Sequence, residues 1–192
     1  WLEHLETLHP VGIDMGLDRV SQVADRMGLL QRPIAKRVIS VAGTDPHVAG
    51  LVYIAAFALD AGESPGAITE QHPPVAVPNL APDSDGYLWV KPEKFHESFC
   101  QDLSADEGLV MGVTQKAPLA STFGDAITAP AWKKTPSWYQ ISSDDRMIAP
   151  ANQERMSARL GARKVITLAA SHASLASKPV EVAALIDEAA KG

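Results

Sequence analysis

Three polar residues in the order Ser, Asp, His have the side chains that a nucleophilic reaction needs. Ser64 lies in GESPG, residues 62–66, which matches the G-x-S-x-G pattern that places a serine on a sharp turn. Asp145 follows in the acidic pair Asp144-Asp145, and His172 comes later in the chain. Catalytic sets of this kind do occur in the chain order Ser, acid, His. The three residues are therefore the candidate nucleophile, acid and base.

The residue after Ser64 argues against its role as the nucleophile. In this motif the N–H of that residue supplies half of the oxyanion hole, and here it is Pro65, which has no N–H. Losing one such donor costs about 10²–10³ in rate. The next residues, AITEQHPP, give only a weak helix signal. A Gly/Pro turn is the alternative interpretation of residues 62–66, and the sequence favours it.

Composition and charge exclude several classes of function. The chain has 192 residues, and 46% are hydrophobic, which suits one globular domain, either alone or with a small appendage. Its net charge of −6 gives no electrostatic basis for binding nucleic acid or an anionic membrane. No apolar run approaches the roughly 20 residues of a membrane span. Because Cys100 is the only cysteine, no internal disulfide forms, and we expect a reducing compartment such as the cytoplasm.

One further pair could hold a ligand. His96 and Cys100 are four residues apart on a predicted helix, so their side chains could share a ligand. An ordinary helix face is the alternative, because no third residue completes the spacing of a zinc site. We expect no metal and no cofactor.

The elements that would position these residues alternate between strands and helices. LVYIAAF, residues 51–57, is a continuous apolar run typical of a strand buried on both faces. Further strands are predicted over 137–142 and 164–169, and helices over 151–160 and 179–190. This alternation predicts an α/β fold with a parallel sheet.

The rest of the chain is less regular. Residues 60–90 are rich in Pro, Gly and Asp and predict a loop, and residues 92–102 predict a helix. Ser104 and Glu107 form a capping-box pattern for the helix that follows. The short β-branched stretch 38–42 would form a strand in isolation, but we expect a helix if the downstream core dictates it.

Three stretches resemble a bacterial α/β-hydrolase of the small esterase-like kind. They are TDPHVAGLVYIAAFALDAGESP (44–65), PSWYQISSDDRMIAP (136–150) and LAASHASLASKP (168–179). The resemblance implies a partial hydrolase domain over about 45–192, with a mainly helical cap over about 61–131. It also implies that Asp145 is the acid and His172 the base, since in that family both follow late strands. From the residues alone, Asp145 could equally cap a turn and His172 could be a loop histidine.

The same resemblance places the family nucleophile directly before residue 38. The residues there, Pro33-Ile34-Ala35-Lys36-Arg37, contain no Ser, Cys or Asp and no Gly for a strained turn. We therefore expect the nucleophile elbow to be missing, together with the early strands and the Gly-rich oxyanion loop.

The first 44 residues resemble a different family. WLEHLETLHPVGIDMGLDRVSQVADRMGLL and the later RVISVAGT are similar to the start of folylpolyglutamate synthase/dihydrofolate synthase. In that family the strand runs into a phosphate-binding loop with a Lys, but here Thr44 is followed by Asp45-Pro46-His47. The two resemblances together imply a chimera, natural or made, with its join within about residues 36–46.

We therefore expect a truncated α/β-hydrolase core with a parallel sheet, a helical cap and a helical N-terminal appendage. The expected function is ester or lactone hydrolysis by resemblance, weak or inactive for want of a nucleophile. The alternatives are a non-catalytic chimeric scaffold or interaction protein, engineered or selected for folding, and a ligase-derived nucleotide binder. A small ester-like ligand is the expected partner, and an exposed sheet edge predicts a homo-oligomer.

Overall fold

The computed structural model describes residues 39–40 and 42–192. The sequence also predicts helices over residues 1–9 and 16–28 of the N-terminal appendage, and both lie outside the described residues. Residues 39, 40 and 42 are helical and lead into a turn. The expectation of a helix rather than a strand is thus confirmed for these three residues, whose β-branched neighbours do not decide the local conformation.

Three parallel strands form the central sheet in the order β1-β4-β5. They are β1 Leu51–Ile54, β4 Ser137–Ser142 and β5 Lys164–Leu168. Leu51 lies opposite Ser137, and Trp138 lies opposite Lys164. All six residues of β4 are buried because this central strand is covered on both faces. The predicted α/β fold is confirmed in this sheet.

Two long helices cover the sheet, one on each face. Helix α4, Pro150–Leu160, packs Met156 and Leu160 into a core with Tyr139 of β4. Helix α6, Pro179–Lys191, packs Leu185 and Ala189 against Trp138 on the other face. A proline stands at the start of each helix, where its missing N–H is not needed. Gly161 ends α4 in the left-handed conformation, at φ 61°.

Strand β1 is shorter than the predicted 51–57. It ends at Ile54 because Ala55 has a φ of 42°, which extended backbone does not allow. Ala55 still donates its N–H to the carbonyl of Gln140, at 3.0 Å. The apolar run continues past the strand because residues 55–57 line the interior under the cap.

The chain between β1 and β4, which we call the cap, contains more regular structure than the loop predicted for residues 60–90. The prediction of a loop was wrong, because the prolines and glycines of this segment lie at the ends of helices and strands. The segment holds helix α1 Pro65–Gln71, a 3₁₀ turn Val77–Asn79, and the antiparallel hairpin of β2 Leu80–Pro82 with β3 Leu88–Val90.

The second half of the cap is helical. The predicted helix over 92–102 is a 3₁₀ turn, Pro92–Lys94, followed by α2 Phe95–Phe99. Helix α3, Ala105–Thr114, begins with the predicted capping box of Ser104 and Glu107. Two 3₁₀ turns, Ala120–Phe123 and Ala131–Lys133, lead back to the sheet. Beyond the sheet, the short helix α5 Ser174–Ser177 precedes α6. Among the described residues, no helix has the length and apolarity to cross a bilayer.

Candidate active site

The carboxylate of Asp145 is the buried charge at the end of β4. Its side chain is fully shielded from solvent. Oδ1 accepts the N–H of Met147 at 2.7 Å and the N–H of Ile148 at 3.0 Å. Two backbone N–H groups of the turn 144–148 thus donate to the carboxylate, in the way that Asp side chains commonly accept N–H groups of their own turn. The structural interpretation of Asp145 as a turn cap therefore holds for one of its two oxygens.

Gln153 on α4 holds the other side of the same carboxylate. Its Nε2 donates to Oδ2 of Asp145 at 2.7 Å and to the carbonyl of Ile148 at 2.9 Å. Its Oε1 accepts the N–H of Ser142, the last residue of β4, at 3.0 Å. Gln153 is completely buried, so all of its polar atoms find protein partners. Sequence analysis missed this residue, because a glutamine inside a predicted helix carries no signal of its own.

His172 completes the arrangement through the second oxygen of Asp145. Nδ1 of His172 lies 2.8 Å from Oδ2, and the imidazole is 21% exposed. A carboxylate at Nδ1 favours the tautomer with the proton on that nitrogen. Nε2 then keeps its lone pair, which is the protonation state that a general base needs. Within the described part of the chain, Nε2 has no hydrogen-bond partner.

The sheet brings the two loops together. The pairing of β4 with β5 continues past both strands, since Ser143 N–H donates to Leu168 at 2.9 Å and Asp144 N–H donates to Ala170 at 3.1 Å. Because the strands are parallel, their carboxyl ends share one edge of the sheet, where open α/β sheets carry their chemistry. Residues 27 positions apart in sequence thus lie in hydrogen-bonding distance.

The buried tyrosine next to the pair stays neutral. Burial, and to a smaller extent the charge of Asp145, raises the pKa of Tyr139 far above its usual range. Its hydroxyl donates to the carbonyl of Ala56. Asp145 is therefore not accompanied by a second negative charge in this part of the core.

His172 borders a cavity of about 670 Å³ between the cap and the sheet. The wall is mostly apolar and includes aromatic rings from both the sheet side and the cap: Phe57, Phe95, Phe99 and Phe123. Phe99 meets the His172 ring edge to face, with ring centroids 4.8 Å apart. The few polar groups in the wall include Thr69, Gln115 and Lys116. Such a space accepts an uncharged, largely apolar molecule beside the imidazole.

Ser64 has a structural role at another place. It is the N-cap of α1, and its Oγ accepts the N–H of Ala67 at 3.2 Å. Glu63 beside it binds the guanidinium of Arg159 on α4, which lowers the pKa of the Glu63 carboxyl. Ser64 is not part of the cavity wall that contains His172. The structure therefore does not bring the sequence-predicted serine to the Asp145–His172 pair.

The side chains of the other candidate pair, His96 and Cys100, have separate surroundings. His96 Nε2 lies 2.9 Å from the carbonyl of Leu103, and the thiol of Cys100 is buried. Burial, with the charges of Asp102 and Glu107, raises the pKa of that thiol. Among the described residues no three His, Cys, Asp or Glu side chains form a metal-binding group.

The chain belongs to the alpha/beta hydrolase family, whose profile matches residues 6–185. Solved structures with the same fold include the pyrethroid hydrolase PytH, at 24% identity and a TM-score of 0.65, with 81% of this chain and 66% of that one covered. Polyneuridine aldehyde esterase matches at 15% identity and a TM-score of 0.58, over 73% and 62% of the two chains. An extracellular α/β-hydrolase from a Paenibacillus species matches at 16% identity and a TM-score of 0.61, with 88% of this chain and 77% of that one covered.

A different match is partial. Dihydrofolate synthase/folylpolyglutamate synthase of Escherichia coli (strain K12) is 39% identical over 72 residues, which are 38% of this chain and 17% of that protein. The chain therefore spans about a sixth of this curated relative and about two thirds of PytH. The identities to the solved structures are below 25%, and what they show is the shared fold.

Gln153→Ala tests whether the amide supports the carboxylate. We expect the variant to lower the free energy of unfolding by about 1–3 kcal/mol, because the Ser142 N–H and one Asp145 oxygen lose buried partners. Chemical denaturation measures the change, and Gln71→Ala at the exposed end of α1 is the control, expected within about 0.5 kcal/mol of the wild type. Equal stability of the two variants would show that the amide is dispensable.

Proposed function

We propose that this chain is an esterase-derived hydrolase in which Asp145 and His172 act as the acid and the base on ester or lactone substrates. The observation that carries the proposal is the geometry of the pair. A fully shielded carboxylate holds Nδ1 of an imidazole that borders an apolar cavity. An ion pair that only stabilised the fold would not need an imidazole that borders such a space.

The chemistry follows from that geometry. Nε2 of His172 takes a proton from the attacking oxygen while this oxygen forms a bond to the ester carbonyl carbon. The charge of Asp145 stabilises the imidazolium that results, and the imidazolium then returns the proton to the leaving alkoxide. Residues 33–37, where the family resemblance places the nucleophile, offer no Ser or Cys. We therefore propose that water is the attacking oxygen and that turnover is slow.

The substrate class is proposed from the cavity and from the relatives. The aromatic wall favours an uncharged apolar acyl or aryl group, and a volume of about 670 Å³ suits a small molecule. Among the solved structures, PytH is named as a pyrethroid hydrolase and another as an esterase. These names support esters as the class.

The setting of the protein is also part of the proposal. With a net charge of −6, the expected partner is a small molecule rather than nucleic acid or a membrane. Cys100 is a free, buried thiol. A reducing compartment such as the cytoplasm suits this single thiol.

The alternative is a non-catalytic chimeric scaffold or interaction protein. It is supported by the missing nucleophile and by the partial match to dihydrofolate synthase/folylpolyglutamate synthase. In this proposal residues 1–44 form a ligase-like segment and residues 45–192 a partial hydrolase domain. The hydrolase profile starts at residue 6, so it extends across the proposed boundary, and the division at residue 44 rests on the sequence resemblance.

Ester hydrolysis with matched histidine variants decides between the two functions. We expect the wild type to hydrolyse p-nitrophenyl butyrate slowly but above the buffer rate. His172→Ala should lose this activity, whereas His72→Ala, an exposed histidine at the end of α1, should retain it. No hydrolysis above buffer would favour the scaffold, and activity that survives in His172→Ala would remove His172 as the base.

Labelling with a fluorophosphonate identifies the attacking group in the same proteins. If water attacks, no serine is labelled in the active wild type. A label on Ser64 or another single serine that disappears in His172→Ala would mean that a serine has been recruited as the nucleophile. The proposal of attack by water would then be wrong.

We also propose that the protein self-associates through a sheet edge. Within the described residues β1 and β5 pair only with β4, so each leaves one side of its backbone without a described strand. Val165 on β5 is 43% exposed. Unpaired strand edges favour pairing between chains. Small-angle scattering at micromolar concentration should give the mass of a dimer, and a well-behaved monomer would contradict the proposal.

A further inference from the structure

The loop that carries His172 is short and almost entirely buried. Ala170, Ser171 and Ala173 are each at most 5% exposed. Within the loop, Ser171 Oγ accepts the N–H of Ala173 at 3.1 Å. Ser174 Oγ donates to the Gln140 side chain at 2.8 Å, which fixes the far end of the loop to β4. The conformation of the two residues on either side of His172 therefore decides where the imidazole lies.

One segment of the cap binds the backbone on both sides of His172. The N–H of Ser171, directly before the histidine, donates to Oδ2 of Asp102 at 2.9 Å. The N–H of Ala173, directly after it, donates to the carbonyl of Phe99 at 3.2 Å. The ring of Phe99 also contacts the imidazole edge to face. The cap thus holds the base at three adjacent points.

The same segment binds the acid loop. Gln101 Nε2 donates to the carbonyl of Asp144 at 2.6 Å, and Arg146 Nη1 donates to the carbonyl of Glu97 at 2.7 Å. Residues 97–102 therefore connect the Asp145 loop and the His172 loop from the side opposite to the sheet. Sequence patterns do not reveal this, because the cap and the two loops are far apart in the chain.

Among the contacts to the His172 loop, the one from Asp102 is charge-assisted. Burial raises the pKa of the Asp102 carboxyl, but hydrogen bonds from Ser171, from the Ser177 side chain and from the backbone of Asp102 itself outweigh it, and the pKa lies below its usual range. The group is ionised at neutral pH, and a hydrogen bond to an ionised acceptor is about twice as strong as a neutral one. Asp102 itself is largely exposed, so its replacement removes this bond without opening the core.

We propose that Asp102 is a positioning residue for His172, which it holds against Asp145 by binding the Ser171 N–H. This assignment rests on the proposed role of His172 as the base. Asp102 touches neither the imidazole nor a substrate in this role. Its effect reaches the imidazole through one backbone amide.

The proton on His172 Nδ1 gives a readout that does not require activity. A proton shared with a buried carboxylate gives a low-field NMR signal, which is assigned here by its loss in His172→Ala. Its exchange with water reports how often the imidazole leaves Asp145. We expect Asp102→Ala to speed this exchange about tenfold or more, the effect of losing one hydrogen bond to a charged group. Asp102→Asn should fall between the wild type and Asp102→Ala, because an amide oxygen still accepts the Ser171 N–H.

Asp106→Ala is the matched control, since Asp106 is an exposed carboxylate on the first turn of the neighbouring helix α3. It should leave the exchange rate unchanged. The proposal is overturned if exchange in Asp102→Ala stays within about twofold of the wild type, well under the effect of a lost charged hydrogen bond. If Asp102→Ala does not fold, the proposal is overturned when the proton in Asp102→Asn exchanges as slowly as in the wild type. If the wild type shows no ester hydrolysis but the exchange rates of the wild type and the Asp102 variants follow the expected order, the hydrolase proposal is removed and the positioning role is supported.

Discussion

The arrangement depends on keeping one carboxylate ionised inside the protein. Moving such a group out of water costs several kcal/mol, and this cost is offset only when hydrogen bonds surround the charge. Asp145 has four donors: two backbone N–H groups, the Gln153 amide and the His172 imidazole. Each donor comes from an element that must be in place, namely the turn after β4, helix α4 and the loop after β5. The sheet, both loops and α4 are therefore coupled through one side chain.

The cap supplies the environment of this charge on the side of the cavity. Its aromatic residues close an apolar space beside the imidazole, and the Gln101 side chain and the Phe99 carbonyl bind the two loops from the cap side. Exclusion of water strengthens electrostatic interactions, so a covered Asp145–His172 pair differs from the same pair on an open surface. The cap in this chain is thus part of the proposed site as well as its cover.

Sequence patterns predicted the strands β4 and β5, the helices α4 and α6 and the capping box of α3, because periodicity, Pro, Gly and Ser carry those signals locally. They also singled out Asp145 and His172, and the structure places these two side chains together. They missed α1, where Ser64 and Pro65 start a helix rather than the Gly/Pro turn that the sequence favoured. Gln153, Phe99 and Asp102 could not be found in this way, since their roles arise from contacts across the fold.

The most direct test of the account is the tautomer of His172, read from the ¹⁵N shifts of its imidazole in the wild type and in Asp145→Asn. The wild type should carry the proton on Nδ1. In the variant, the Met147 and Ile148 N–H groups hold the side-chain oxygen, so the amide nitrogen takes the place of Oδ2. There it faces the imidazole and loses the hydrogen bond from Gln153 Nε2. Nδ1 should then accept a hydrogen bond, and the proton should move to Nε2. A wild type protonated on Nε2, or a variant that keeps its proton on Nδ1, would contradict the account.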